Sequence, residues 1–432
     1  MSAMELTRRF GNFLLVVAAL VYVLFDAFGG VIRHYLAGSS AVYATYTPAL
    51  LGIVALVVCI PQSFASVQTL VRSFFALLLM ATLVLLASYL GRTWGQIGFG
   101  LYILLPAFLA FALVSRNLHG TFLTGFAIAF VFAVIGVLLN TYVQFPWSGT
   151  SYEVMGIERE AARAWTSGEQ DRLGGFTRAS FTAAAHILLG FCALEYRTRN
   201  FALKVLLWGL GLVAIYYTNA KSTLLAMAVL PITYLIVGRI TDIGEARQKR
   251  LATLMILFWI LFTFAGPLLS VTYGTQIYPY GAAYGSQYDS LADRVLNTWP
   301  DALQMIDWND PLNIVFGRGL GGIGAAQAIF EAKSNPADNI AIYLLVSFGL
   351  MALWFPFRIM RGGYRALDSG APGRRDFVLI IAMLGIGAAA SVLESIFPVM
   401  VLGMALGYPA PAPAVEEEDQ ALSEAENTAQ AG

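Results

Sequence analysis

The stretch Thr121-Phe-Leu-Thr-Gly-Phe-Ala-Ile-Ala-Phe-Val-Phe-Ala-Val-Ile-Gly-Val-Leu-Leu139 carries no charged side chain and offers water no polar helical face. An apolar run of about 20 residues matches the hydrocarbon core of a bilayer, and a helix apolar all round has nothing to present to solvent. Leu14 to Phe25, Phe74 to Leu90 and Leu251 to Leu269 repeat the pattern. The chain therefore reads as an all-α polytopic membrane protein. Its chemistry is expected in two polar insertions, at about 144-176 and 273-338, that fall on one side of the membrane.

Composition agrees. Of 432 residues, 58% are hydrophobic and 12% charged, and 26 Lys and Arg balance 26 Asp and Glu. A chain without net charge has no bulk field to capture nucleic acid or an acidic polymer, so any partner must be selected locally. The only cysteines, Cys59 and Cys192, lie in apolar runs and read as small buried residues. No His and Asp cluster has metal-ligand spacing, so neither metal nor cofactor is expected. The first run follows Arg8 and Arg9 but reaches Phe28 without a small-residue cleavage site, and reads as an uncleaved span.

Twelve spans account for the apolar runs, at about 10-28, 40-60, 72-90, 95-114, 121-143, 177-195, 201-218, 220-237, 251-272, 339-357, 376-390 and 392-408. Ser391 to Glu394 must then form a tight reversal between the last two. With the N-terminus in the cytoplasm, sixteen of the 26 Lys and Arg fall inside and ten outside, which satisfies the positive-inside bias and makes both termini cytoplasmic. Three regions result: an N-terminal transmembrane bundle over 1-143, a membrane domain carrying both polar loops over 144-408, and a tail over 409-432. The tail alternates Pro and Ala before Glu416 to Asp419 and is expected to be disordered.

Eight of the ten outer cations gather in three loops against that bias. Arg159, Arg163, Arg172 and Arg178 belong to the first polar segment or its junction, Lys221 to the turn between the seventh and eighth spans, and Arg294, Arg318 and Lys333 to the second segment. One reading pairs them with outer acids such as Glu158, Glu160, Asp171, Asp293 and Asp301. The other reserves them for an anion. It is stronger for Arg172, Arg178 and Lys221, which flank spans closely, where a desolvated cation is costly.

Phe145-Pro-Trp147 opens the first segment as an interfacial aromatic anchor, and Glu158 to Trp165 has the pattern of a short amphipathic surface helix. Arg172-Leu-Gly-Gly-Phe-Thr-Arg178 then leads into the sixth span. Its glycines let the backbone approach a ligand while two guanidinium forks grip phosphate. His186, eight residues beyond Arg178 and so about two turns deeper, suits a proton relay or substrate contact, or equally a hydrogen bond to a neighbouring helix.

Tyr273, Tyr278, Tyr280, Tyr284 and Tyr288 crowd the start of the second segment. Tyr280, Tyr284 and Tyr288 are candidate glycan contacts, although such a cluster equally suits the membrane interface. A surface helix is expected from Leu291 to Asp307, interrupted or kinked at Pro300. Phe316-Gly-Arg-Gly-Leu-Gly-Gly322 lacks the strand-turn-helix setting of a dinucleotide loop and reads as a flexible outer turn that exposes Arg318. Pro336-Ala-Asp-Asn339 closes the segment before the run Ile340 to Phe357. Asp338 suits an N-cap for that span, and it also puts a carboxylate at the outer boundary, where a general base would be needed.

Phe316 to Gly322, followed by Ala337-Asp-Asn-Ile-Ala-Ile-Tyr-Leu-Leu-Val-Ser-Phe-Gly-Leu-Met-Ala-Leu-Trp354, resembles the bacterial O-antigen polymerase and ligase family. Arg172-Leu-Gly-Gly-Phe176 and Thr218-Asn-Ala-Lys-Ser-Thr223 look similar to the family's blocks before and between the central spans. The likeness covers about 172 to 354 and lies in the order and spacing of these blocks, the N-terminal spans matching in number and polarity. It implies about twelve transmembrane helices in a GT-C-like arrangement, a large periplasmic loop, and residence in the bacterial inner membrane. Ligases of the family carry His immediately before the Asn of the last block; here Asp338 stands there, which is more similar to the polymerases. Lys221-Ser222 replaces the Ser-Arg pair of the central turn and keeps the cation.

The resemblance implies glycosyl transfer outside the cytoplasm, where no nucleotide sugar is available, from an undecaprenyl-diphosphate-linked glycan. Arg172, Arg178, Lys221 and Arg318 would hold the diphosphate as a metal does elsewhere. Asp338 would take the proton of the acceptor hydroxyl, with inversion at the anomeric carbon, and Asn339 would touch glycan. Membrane lipids, and the flippase and chain-length regulator of the same pathway, are the implied partners. An O-antigen ligase uses the same donor. A polysaccharide or lipid transporter is the non-enzyme alternative, although the chain shows no pair of related halves with broken helices.

Overall fold

The computed structural model describes residues 3–60, 67–154, 157–167, 170–240, 244–277 and 289–408. Among them, seven helices are long and apolar enough to cross a membrane: Glu5–Ala27, Ser40–Cys59, Trp94–Val114, Gly120–Asn140, Phe201–Thr218, Glu245–Gly274 and Ile340–Asp368. Four shorter apolar helices accompany them, Leu77–Tyr89, Ser180–Glu195, Lys221–Ile236 and Ile396–Gly407. Phe13, Leu50, Leu85, Leu139, Leu206 and Phe258 are exposed on their outer sides, a surface suited to lipid rather than water. The protein is an all-α, multi-pass membrane protein.

In chain order the first helices are α1 (Ala3–Ala27), α2 (Gly29–Leu36), α3 (Thr47–Cys59), α4 (Val67–Tyr89), α5 (Trp94–Val114) and α6 (Gly120–Asn140). After the first polar segment come α7 (Ser180–Glu195), α8 (Phe201–Thr218), α9 (Lys221–Ile236), α10 (Glu245–Ile260) and α11 (Gly266–Ile277). The second segment holds α12 (Asp289–Asp293), α13 (Trp299–Gln304), α14 (Pro311–Phe316) and α15 (Ala325–Phe330). The chain returns through α16 (Ile340–Phe348), α17 (Trp354–Asp368), α18 (Gly370–Gly387) and α19 (Ile396–Gly407).

The centre is built from α7, α18 and α19. Phe377 to Gly387 and Phe397 to Ala405 are buried at every position, because these helices are apolar on all sides and have no face for a boundary. Around them α6 packs along α7 and α5 along α19. A Cβ on Gly403 would lie 2.1 Å from the carbonyl oxygen of Ala107, so α5 and α19 meet backbone to backbone, which only a small residue permits. The rings of Phe126, Phe397 and His186 stack in sequence with centroids 3.9 Å apart, tying α6 to α19 and α7.

The polar segments depart from several expectations. Glu158 to Trp165 is not a helix: β1 (Ser151–Val154) pairs antiparallel with β2 (Ile157–Glu160), and β3 (Trp165–Ser167) with β4 (Gln170–Arg172). The side chains alternate with period two, Tyr152 packing on Val42 and Ala161 while Ser151 and Glu153 face out. Trp147 is buried rather than anchored in lipid, and its indole N–H donates to the carbonyl of Gly175 at 2.8 Å. Leu291 to Gln304 is helical as expected, but its irregularity is a π turn at Arg294–Thr298, before Pro300, which occupies the first turn of α13 and needs no donor there. A second π turn, Leu261–Ala265, joins α10 to α11. The Phe316 to Gly322 turn is pinned rather than flexible, since a Cβ on Gly321 would lie 2.4 Å from the carbonyl oxygen of Gln96. Between α18 and α19 the chain passes through a 3₁₀ turn at Val392–Glu394.

Candidate functional site

Three arginines converge because backbone hydrogen bonds lace their segments together. The N–H of Arg163 donates to the carbonyl of Arg178 at 2.8 Å, and that of Gly30 to the carbonyl of Phe176 at 3.1 Å, which brings Arg33 of α2 alongside. Arg33, Arg163 and Arg178 line one cavity of about 130 Å³, together with Asp26, Tyr102 and Glu394. Among the described residues, the buried Nε of Arg178 has no hydrogen-bond partner. Its burial, with Arg33 and Arg163 close by, pushes the guanidinium down to about 10. Three guanidiniums face two carboxylates here, so the cavity is set to receive an anion.

A second charged group lies where the first segment meets the second. Arg294, in the π turn, donates from Nε to Oδ2 of Asp338 at 3.1 Å and is itself steadied by the hydroxyl of Ser290 at 2.7 Å from its terminal nitrogen. Arg172 stands within electrostatic reach of both. Burial first, then repulsion by Arg294, lowers the Arg172 guanidinium from its ordinary value, against the pull of Asp338. Its Nε is also buried and unpartnered. Glu394 is within electrostatic reach of Asp338, Arg163 and Arg178 and so lies between the two groups; its carboxylate accepts the N–H of Ala325.

Asp338 is not the helix cap. Asn339 is: its Oδ1 accepts the N–H groups of Ala341 at 2.7 Å and Ile342 at 3.0 Å. Its Nδ2 donates to the carbonyls of Thr263 at 3.1 Å and Ala388 at 2.9 Å. With 0% exposure, Asn339 cannot touch glycan; it joins α16 to the π turn of Leu261–Ala265 and to the end of α18. Ala337 and Asp338 instead form a left-handed pair, φ 63° and 48°, held by Asn335, whose Oδ1 accepts the N–H of Ala337 at 2.7 Å. Two consecutive non-glycine residues in this region store strain, a state that clusters at functional sites.

Arg318 also leaves the expected set. It is engaged by Glu331, Nη2 to Oε2 at 2.9 Å, and by the carbonyl of Gly322 at 2.9 Å. Arg92 pairs with the same carboxylate, and Gln96 and Gln327 donate to it at 2.7 and 3.0 Å. Burial works to raise the Glu331 carboxyl, but these hydrogen bonds and Arg318 prevail and hold it below the usual range. Through Glu331, Arg318 thus fastens the Phe316 to Gly322 turn to α5. Lys221 is exposed at the first position of α9, where a cation opposes the helix dipole. Tyr280, Tyr284 and Tyr288 lie outside the described residues.

His186 is wholly buried, and its Nε2 meets Oδ2 of Asp26 at 2.8 Å. The pairing contains both readings of this histidine, since Asp26 is a neighbouring helix's partner and also a wall of the cavity. Asp26, Arg33 and Tyr102 were not among the expected site residues. A carboxylate inside the first apolar run was a signal for Asp26, because intramembrane acids are kept for a purpose; nothing local distinguishes Arg33. A larger hollow of about 530 Å³ between α9 and α10, lined by residues such as Leu225, Met255, Phe258 and Phe262, is apolar and carries no reactive group. Among the described residues no group of three or more His, Cys, Asp or Glu could hold a metal ion. No protein-family model matches the chain, and no curated protein matches it significantly.

Proposed function

We propose that the chain is an inner-membrane glycosyltransferase that joins polyprenyl-diphosphate-linked oligosaccharide repeat units on the periplasmic side, as an exopolysaccharide or O-antigen polymerase. The observation that carries this reading is the cavity in which Arg33 of α2 meets Arg163 and Arg178 of the first polar segment, with the Nε of Arg178 unpartnered among the described residues. About twelve spans, both termini in the cytoplasm and a GT-C-like arrangement belong to the same proposal.

The diphosphate of the donor occupies the arginine cavity, where fixed guanidiniums stabilise the charge that develops as it leaves. The acceptor hydroxyl attacks the anomeric carbon from the opposite face, giving inversion, while Asp338 takes its proton. Arg294 holds that carboxylate in place at 3.1 Å, with Arg172 in electrostatic reach of it. Deletion of the gene followed by analysis of lipid-linked glycans tests the reading. Single repeat units accumulate if the protein is a polymerase; full-length lipid-linked polymer accumulates if it is the alternative, a ligase; an unchanged glycan pool contradicts both.

A further inference from the structure

Asp26 of α1 and His186 of α7 are hydrogen-bonded at 2.8 Å, the carboxylate on the cavity wall and the imidazole wholly buried behind it. The ring of His186 packs 3.9 Å from that of Phe397, and its Nδ1 is buried with no hydrogen-bond partner. A neutral imidazole that donates Nε2–H to Asp26 leaves only a lone pair in those apolar surroundings. A charged imidazole would bury an unpaired N–H there, which costs more. In this arrangement His186 donates Nε2–H to Asp26, whose carboxylate stands on the cavity wall.

That carboxylate faces the site an anion must enter. The other titratable groups on the wall are Tyr22 from α1, Arg33 from α2, Tyr102 from α5, Arg163 and Arg178 from the first polar segment, and Glu394 from the α18–α19 turn. Glu394 already accepts the N–H of Ala325, whereas among the described residues Asp26 is hydrogen-bonded to the His186 imidazole alone. A diphosphate next to Asp26 sets like charges side by side in a low dielectric, and such pairs resolve by binding a proton.

We infer that Asp26, positioned by His186, takes up one proton when a diphosphate fills the cavity and gives it to the phosphate oxygen released in the transfer. The inference rests on the polyprenyl-diphosphate reading. The acceptor oxygen forms the new bond to the anomeric carbon and its proton goes to Asp338. The bond from that carbon to the phosphate oxygen breaks with its electron pair on oxygen, and this oxygen takes the proton from Asp26. The protonated diphosphate leaves Asp26 ionised, and Asp338 returns its proton to outer water. Asp26 is then a catalytic residue and His186 a positioning residue.

The test is calorimetric titration of the full-length protein in nanodiscs with farnesyl diphosphate, in two buffers of different ionisation enthalpy, which counts protons exchanged on binding. The wild type takes up about one proton per diphosphate bound. Asp26→Asn, which keeps the shape and loses the charge, binds at least as tightly and takes up almost none; His186→Gln binds with reduced uptake. Binding without uptake in the wild type, unchanged uptake in Asp26→Asn, or loss of binding in Asp26→Asn overturns the inference. Uptake that vanishes in Glu394→Gln but persists in Asp26→Asn overturns it too, by moving the proton to Glu394. A wild type that does not bind the probe contradicts the diphosphate reading itself, and the inference falls with it.

Discussion

Arg294 grips Asp338 at 3.1 Å, from a π turn on one side to a residue with a left-handed backbone on the other. Both partners are thus held in uncommon local geometry. Asn tolerates this backbone and still accepts the Arg294 hydrogen bond, but cannot take a proton. Asp338→Asn should leave thermal stability unchanged and lower polymerisation about 100-fold or more. Asp338→Gly should relieve the strained φ and raise stability by roughly 1 kcal/mol, with activity still lost. Melting curves beside a turnover assay separate the outcomes. An active Asp338→Asn would return the base to another carboxylate.

Arg318 and Glu331 are expected to serve stability and not the donor. Arg318→Ala leaves a half-buried carboxylate short of a partner and should cost about 1–3 kcal/mol, read as a lower melting temperature, while diphosphate affinity in the folded fraction is unchanged. The Glu331 carboxyl is held below its usual range, so its contribution is present above the ordinary Glu value of about 4.3 and is lost as pH falls through the lower folded value. Melting temperatures of wild type and Glu331→Gln should therefore differ at neutral pH and converge in acid. A constant gap across that range would sink the assignment.

Asn339 permits a sharper test, because its two roles need different atoms. Asp is as good a cap as Asn, so a pure cap would survive Asn339→Asp. Here the same change points a carboxylate at the carbonyls of Thr263 and Ala388. Asn339→Asp should be destabilised at least as much as Asn339→Ala, by about 2 kcal/mol or more. Equal stability of Asn339→Asp and wild type would reduce the residue to a cap.

Much of the fold was legible because apolar periodicity records the membrane directly: the run Thr121 to Leu139 falls within one helix, Gly120–Asn140. The interruption near Ser391 to Glu394 was legible for the same reason, since two apolar runs flank it. The polar segments were harder. Glu158 to Trp165 satisfies a helical pattern on paper, but the buried side of its hairpin is decided by Tyr152, earlier in the chain, and by Val42 from a distant turn. In the site, Arg178 and Asp338 could be singled out by position at the edge of a span. Arg33 could not, since what makes it a neighbour of Arg178 is the backbone bond from Gly30 to Phe176. The cap assigned to Asp338 belongs to Asn339. Adjacent polar residues before a helix look alike in sequence, and only the left-handed turn at Ala337 and Asp338 decides which one caps.

On the proposed function, the cavity of Arg33, Arg163 and Arg178 holds the donor diphosphate. Polymer formation from purified lipid-linked repeat units by the reconstituted protein measures it most directly, with Arg178→Ala and Arg178→Lys beside the wild type. Arg178→Ala should keep its melting temperature and lose activity about 100-fold or more, as expected when a fixed donor to a leaving anion is removed. Arg178→Lys should recover only part, because an ammonium cannot make the planar two-point contact with phosphate. Arg178→Ala polymerising at the wild-type rate would contradict the proposed function.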